Sequence, residues 1–271
     1  MHLLATLRGH AAVIWLLILA LAIGGCESGR KEQTLTVYAA SSLADVFTAI
    51  GKEFERENPG VRVVFNFAGS HQLAYQLAMG APGDVLATAN EAQMQRVVEA
   101  GRVAPDSVRL FATNRLAIIF PEGNPAGIRT LQDLARDGLR LILAAPEVPV
   151  GAYTAQFLDE ASQDSAFGND YKERVLRNVV SYEQNVRAVY VTVILGEADA
   201  GFVYASDLYS GRSVQPEYLE VPDLAGTPLV YVIAPVSDNG TGEWASAFLQ
   251  FVLSGRGRAL LKRYGFEPYG S

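Results

Sequence analysis

The stretch that decides the fold is "LTVYAASSLADVF", residues 35–47. An apolar run, "LTVYAA" (35–40), reads as a buried strand. It breaks at two serines, after which Val46, Phe47, Ile50 and Phe54 share one face of a helix over 42–57. Strand, tight junction and helix thus follow within thirteen residues. Ser41 and Ser42 stand at the junction as a nucleophile with its neighbour, as a helix cap, or as a grip on a ligand.

The same pattern continues outward. "VRVVFNF" (61–67), "DVLAT" (84–88), "RLAIIFP" (115–121), "LRLILAAP" (139–146), "NVVSY" (178–182), "AGFVYAS" (200–206) and "PLVYVIAP" (228–235) read as strands. Helix-period segments lie near 70–80, 90–101, from 151 and near 184–196, and Thr130 with Asp133 forms a capping box before "LQDLARDG". A last helix carries Trp244, Ala247, Phe248, Phe251 and Val252 on one stripe, with "GRGRALLKR" (255–263) as its basic C-terminal half. Such alternation predicts an α/β protein with mainly parallel sheets and helices on both faces. There is no repeat and no single linker, as expected where a chain crosses between two lobes more than once.

The 271 residues are 49% hydrophobic and 19% charged, an ordinary globular balance, with a net charge of -7. That charge argues against a nucleic-acid partner, which needs a basic footprint, but leaves a small anion open. Residues 1–25 differ from the rest. Arg8 is their only charged residue, and "AAVIWLLILALAI" is an apolar run of 13 residues, short for a membrane span. The following "IGGC" resembles the lipobox of bacterial lipoproteins. That resemblance implies a signal peptide over 1–25, a lipid on Cys26 and a tether over 26–33. A plain secretory signal with an incidental cysteine is the alternative. Cys26 is the only cysteine, so the domain has no disulfide framework or thiolate metal site.

Ligands of open α/β folds sit where strands run out into helix N-termini, which carry partial positive charge and uncommitted N–H groups. Four such junctions stand out: "AASSLAD" with Ser42, "NFAGSHQLAYQLA" with Ser70, "AAPEVPVGAYTAQF" with Val150 and Gly151, and "SYEQNVRAVYVTV" with Asn185 and Val186. For either serine alone, a simple N-cap is the readier explanation. A serine hydrolase would need a base and an orienting acid. The one histidine beyond the leader, His71, directly follows Ser70, and no G-x-S-x-G elbow, P-loop, dinucleotide fingerprint or H-E-x-x-H is present.

With these junctions assembled, the chain resembles the molybdate-binding proteins of bacterial ABC importers, which are type II periplasmic-type solute-binding proteins. The resemblance spans about residues 34–269 through "LTVYAASSLADVF", "FNFAGSHQLAYQLAMGAPGDVLATA", "PEVPVGAYT", "NVRAVYVTVILGEADAGFVYASD" and "LLKRYGFEP". It implies a two-lobed fold with the ligand in the interlobe cleft, lobe one over 34–112 and 235–271, and lobe two over 113–234 with crossing strands. It implies that Ser42 and Ser70 give hydroxyl and backbone donors to an oxyanion, that Val150 and Val186 give backbone N–H groups, and that Tyr204 gives its hydroxyl. Molybdenum would be held as molybdate, with no direct metal ligand and no cofactor. Val150 stands where members often have alanine, which bears on anion size. The further implications are tungstate as a second ligand, an ABC permease with its ATPase as partner, a monomer, a lipid-anchored place in the cell envelope, and no catalysis. The competing readings are a sulfate, phosphate or iron-binding relative, and a cell-surface hydrolase using Ser70 and His71.

Overall fold

The computed structural model describes residues 33–209, 216–223, 228–236 and 242–270. The expected leader, Cys26 and the tether as far as residue 32 lie outside the described residues. Gln33, assigned to the tether, instead opens the first strand.

Strand β1 (Gln33–Ala40) buries Leu35, Val37, Ala39 and Ala40 and runs into a 3-10 turn, Ser41–Leu43, and then α1 (Ala44–Glu57). Val46, Phe47, Ile50 and Phe54 of α1 are fully inside, as their spacing requires. Phe47 and Phe54 meet Phe248 at ring separations of 6.0 and 5.3 Å. Burying each such side chain contributes about 1.5–3 kcal/mol. The chain continues through β2 (Val61–Ala68), α2 (Ser70–Ala78), β3 (Val85–Thr88), α3 (Glu91–Glu99) and β4 (Arg109–Asn114).

Arg115 alone joins β4 to β5 (Leu116–Phe120), and with that step the chain leaves one sheet for another. The second sheet adds β6 (Leu141–Ala144), β7 (Val179–Glu183), β8 (Ala200–Tyr204) and β9 (Glu217–Glu220), flanked by α4 (Pro149–Ala161), α5 (Tyr171–Arg177) and α6 (Val186–Ile194). The chain then returns through β10 (Leu229–Pro235) to α7 (Gly242–Leu253), α8 (Gly255–Arg263) and β11 (Glu267–Pro268). The sheet orders are β11-β4-β10-β3-β1-β2 and β7-β6-β8-β5-β9.

Three of the strands that feed the helix junctions, β1, β6 and β7, keep the parallel arrangement. β1 pairs with β3 in parallel, and β6 pairs in parallel with both β7 and β8. The strands at the crossings do not: β10 is antiparallel to β3 and β4, and β5 is antiparallel to β8 and β9. A strand arriving from the other lobe enters its sheet from the opposite end, so each sheet is mixed. β10 also belongs wholly to the first sheet, whereas the sequence reading ended lobe two at 234.

Two local expectations are corrected. The segment after Thr130 is a 3-10 helix, Leu131–Ala135, rather than an α-helix through 138: the chain turns extended at Arg136, φ -68° and ψ 137°, before Gly138 bends it at φ 86°. Asp133 still serves its start, accepting from the N–H groups of Arg129 and Thr130 at 2.8 and 2.9 Å, the first of which chiefly lowers its pKa. The basic segment 255–263 is a separate helix, α8, not the end of α7. Ser254 starts it by accepting from the Gly257 N–H at 3.2 Å, and any Cβ on Gly257 would overlap the carbonyls of Phe251 and Val252. The strands β4 and β9 and the helix α5 carry no strong periodicity and were not anticipated.

Candidate functional site

Each junction singled out in the sequence is a helix start. The Val150 and Gly151 N–H groups lie in the first turn of α4, after Val148 and Pro149; those of Val186 and Arg187 open α6 behind its cap Asn185. First-turn N–H groups have no acceptor within their own helix. Gly151 is required here, because a Cβ would overlap the carbonyl oxygens of Ala144 and Ala145 at the end of β6. That close approach seats α4 on its strand and fixes where the Val150 N–H sits.

The serines are not simple caps. Ser42 lies inside the 3-10 turn, the cap position belongs to Ala40, and neither that turn nor α1 has a side-chain cap bond. Ser70 is the first residue of α2, behind Gly69. Their hydroxyls are engaged elsewhere. Ser42 Oγ accepts from the Tyr231 hydroxyl at 3.0 Å, and Ser70 Oγ, 2% exposed, accepts from the Ala89 N–H at 3.1 Å. A nucleophile needs its proton taken by a base, and among the described residues the hydrogen-bond partners of the two hydroxyls are a phenol and a backbone N–H, neither of them one. His71 Nδ1 is buried without a hydrogen-bond partner among the described residues.

The lobes meet at these same junctions. Gly69 lies against the second lobe so closely that a Cβ would stand 2.5 Å from the Gln184 carbonyl oxygen, two residues before Val186. Arg187 Nη2 donates to both carboxylate oxygens of Asp45, at 3.0 and 2.9 Å, joining α6 to α1. Gln93 Nε2 donates to the Glu147 carbonyl at 3.2 Å, joining α3 to the loop before Val150. The helix α6 packs on the turn carrying Ser42.

Tyr204 ends β8, 1% exposed, with its ring 5.8 Å from that of Tyr231. Its hydroxyl makes no well-formed hydrogen bond among the described residues, although the Tyr231 hydroxyl is close enough to hold its proton by charge and by a loose hydrogen-bond contact. Burial pushes the phenols of Tyr204 and Tyr231 well up, and that of Tyr153 to about 12, so all three keep their protons at neutral pH. Burial also pushes Asp207 up to about 7, against the opposing pull of the Tyr204 N–H it accepts at 3.1 Å and of Arg187.

Ser42 and Tyr204 are therefore brought together through Tyr231, and Ser70 and Val186 through the Gly69–Gln184 approach. Val150 joins them through the Gln93–Glu147 bond and through Tyr153, one turn further along α4, whose charge environment includes Glu91 of the first lobe. The assembly offers hydroxyl and N–H donors, and its nearby cation, Arg187, is held by a carboxylate. Among the described residues no group of three or more His, Cys, Asp or Glu side chains is placed to hold a metal ion.

A family model described as bacterial extracellular solute-binding protein matches residues 35–267. The chain belongs to that family. Among curated relatives, the molybdate-binding protein ModA of Mycobacterium tuberculosis is 39% identical over 237 residues, covering 88% of this chain and 85% of its own. Among solved structures, the periplasmic molybdate-binding protein of Azotobacter vinelandii superposes with a TM-score of 0.73 at 21% identity, over 86% of this chain and 98% of its own. The sulfate-binding protein SubI of Mycobacterium tuberculosis superposes with a TM-score of 0.75 at 20% identity, over 88% of each chain. These two structural likenesses establish the two-lobed fold of this solute-binding protein and do not separate one anion from another.

Sequence reading missed four participants: Tyr231, Asn114, and the Asp45–Arg187 pair. In the sequence Asp45 is one residue of the "AASSLAD" junction and Tyr231 one residue of the apolar strand "PLVYVIAP". An internal tyrosine in a strand returning between lobes was the available signal.

Proposed function

We propose that this protein is the extracytoplasmic binding component of an ABC importer, and that its ligand is molybdate, with tungstate as a near-equal. The observation that carries this reading is the 39% identity, over 88% of the chain, to a protein named for molybdate binding. The chemistry of the cleft supports it. Molybdate at neutral pH is a tetrahedral dianion that only accepts hydrogen bonds. Ser42, Ser70 and Tyr204 supply hydroxyl donors, and Ser42, Ser70, Val150 and Val186 supply N–H groups at helix starts. Hydrogen bonds to a charged group contribute about 1.5–3 kcal/mol each, and about five to seven of them exceed the costs of association.

Donors from both lobes converge on one anion, so the ligand favours the closed arrangement by touching both halves at once. The closed monomer then presents itself to a permease driven by its ATPase, and Cys26 carries the lipid that keeps it at the membrane. Nothing is done chemically to the ligand, and a hydrolase reading lacks a base for either serine. The test is retention of metal. Purified protein mixed with molybdate and passed through a desalting column should carry about one molybdenum per chain by elemental analysis. Protein that emerges without molybdenum but retains sulfate would move the assignment to sulfate.

A further inference from the structure

The hydroxyl of Ser42 is held by a chain of donors that begins at the lobe crossing. Asn114, the last residue of β4, is 6% exposed. Its Oδ1 accepts from the N–H groups of Arg115 and Ser206, at 2.9 and 3.3 Å. Those two donors fix the orientation of the amide, so Nδ2 faces the other way. Nδ2 donates to Ser206 Oγ at 2.8 Å and to the Tyr231 hydroxyl at 3.4 Å. An amide NH2 can only donate, so the single proton of Tyr231 turns away from Asn114 and toward Ser42 Oγ, 3.0 Å away. Ser42 thus receives a proton on one side and must point its own elsewhere. Ser70 is treated alike, since the Ala89 N–H that reaches its Oγ can only donate.

We propose that Tyr231 and Asn114 are positioning residues that pin the Ser42 hydroxyl as a donor toward the cleft, and so set the site's preference for oxyanions that carry no proton. This rests on the oxyanion reading above, though not on molybdate in particular. A pinned hydroxyl meets a fully deprotonated anion without reorganising. A hydrogenphosphate, which must donate its own proton, meets a hydroxyl already turned to donate. Hydrogen bonds in such a chain also polarise one another, which strengthens the last donor. Tyr231 is fully buried with its ring edge-on to Phe111, Tyr204 and Phe266, so its hydroxyl does not wander.

The test is a double-mutant cycle on the full exported protein, titrated calorimetrically with whichever of molybdate and sulfate the unaltered protein binds. Tyr231→Phe keeps the ring and is expected to weaken that anion about tenfold. In a Ser42→Ala background the same change is expected to cost under about twofold, because the hydroxyl it acts through is gone. Tyr231→Phe should also narrow the margin over hydrogenphosphate. Should Tyr231→Phe not fold by thermal melting, Asn114→Ala enters the same cycle with the same expectation. A full loss that persists in the Ser42→Ala background, or no loss at all in the single variant, overturns the relay. Sulfate binding in place of molybdate overturns only the ligand assignment, and binding of neither anion by the unaltered protein overturns both.

Discussion

Arg187 of α6 and Asp45 of α1 hold the two lobes to each other, a single guanidinium nitrogen donating to both carboxylate oxygens at 3.0 and 2.9 Å. The side chains are 30% and 37% exposed, so solvent screens the pair and its contribution stays near the usual 0–1 kcal/mol of a surface bridge. Its place matters more than its strength, since it ties α6 of one lobe to α1 of the other beside the Ser42 turn. Asp45→Asn should weaken ligand affinity by about threefold with little change in melting temperature. Raising the salt should shrink the difference, which titrations at two ionic strengths will show.

Gly69 offers a sharper probe of closure. Its φ of -61° suits any residue, and within the first lobe the nearest atoms to a methyl group there are those of the His71 ring, Cε1 at 2.8 and Nδ1 at 2.9 Å, a side chain that can turn aside. The Cβ would nevertheless stand 2.5 Å from the Gln184 carbonyl oxygen across the cleft. Gly69→Ala should lower the melting temperature of the ligand-free protein only slightly, as the His71 ring turns aside, while losing ligand affinity by about tenfold or more and giving a larger radius of gyration in the presence of ligand than the unaltered chain. Unchanged affinity would mean that the lobes do not approach at this point in the bound state.

The two serines should separate stability from binding. Ser70→Ala leaves the buried Ala89 N–H without its acceptor, a loss of about 1–3 kcal/mol in stability on top of a weakened anion site. Ser42 is only half-buried, so water can take the place of the acceptor that the Tyr231 hydroxyl loses, and Tyr231 keeps its donor from Asn114. Ser42→Ala should therefore lower affinity by about tenfold or more while costing about 1 kcal/mol or less in unfolding experiments. If both variants lose stability equally, the difference in their environments has been misjudged.

Asp207 gives a pH dependence of unusual sign. Its carboxyl titrates near 7 in the folded chain, because of burial above all, against an ordinary value of 3.8. Between those values the unfolded chain releases the proton that the folded one keeps. This group's contribution to stability is therefore full below about pH 4, declines as pH rises toward 7, and is level above. Asp207→Asn can still accept the Tyr204 N–H and should flatten the decline in melting temperature between pH 5 and 8. A parallel curve for variant and unaltered protein would show that other groups set that slope.

Much of this was legible in the sequence because it is local. The opening stretch displays its strand, turn and helix within thirteen residues, and Val150 and Val186 fall in the first turns of helices that the apolar spacing located. What was not legible joins residues far apart in the chain. Tyr231 reaches Ser42 across 189 positions and Arg187 reaches Asp45 across 142. Periodicity reports which face of an element is apolar, and carries nothing about which face of another element it will meet. The partners that engage the serine hydroxyls were hidden for the same reason, since Tyr231 and Ala89 lie on other strands or beyond them. The antiparallel entry of β10 into the first sheet was hidden too, because an apolar run has no direction.

The most direct measurement is a calorimetric titration of the purified exported domain with molybdate, tungstate and sulfate under identical buffer and salt. Molybdate and tungstate should each bind at about one per chain, with similar affinity, and at least about a hundredfold more tightly than sulfate. Sulfate binding as tight as molybdate binding, or no heat with any of the three, would contradict the proposed function.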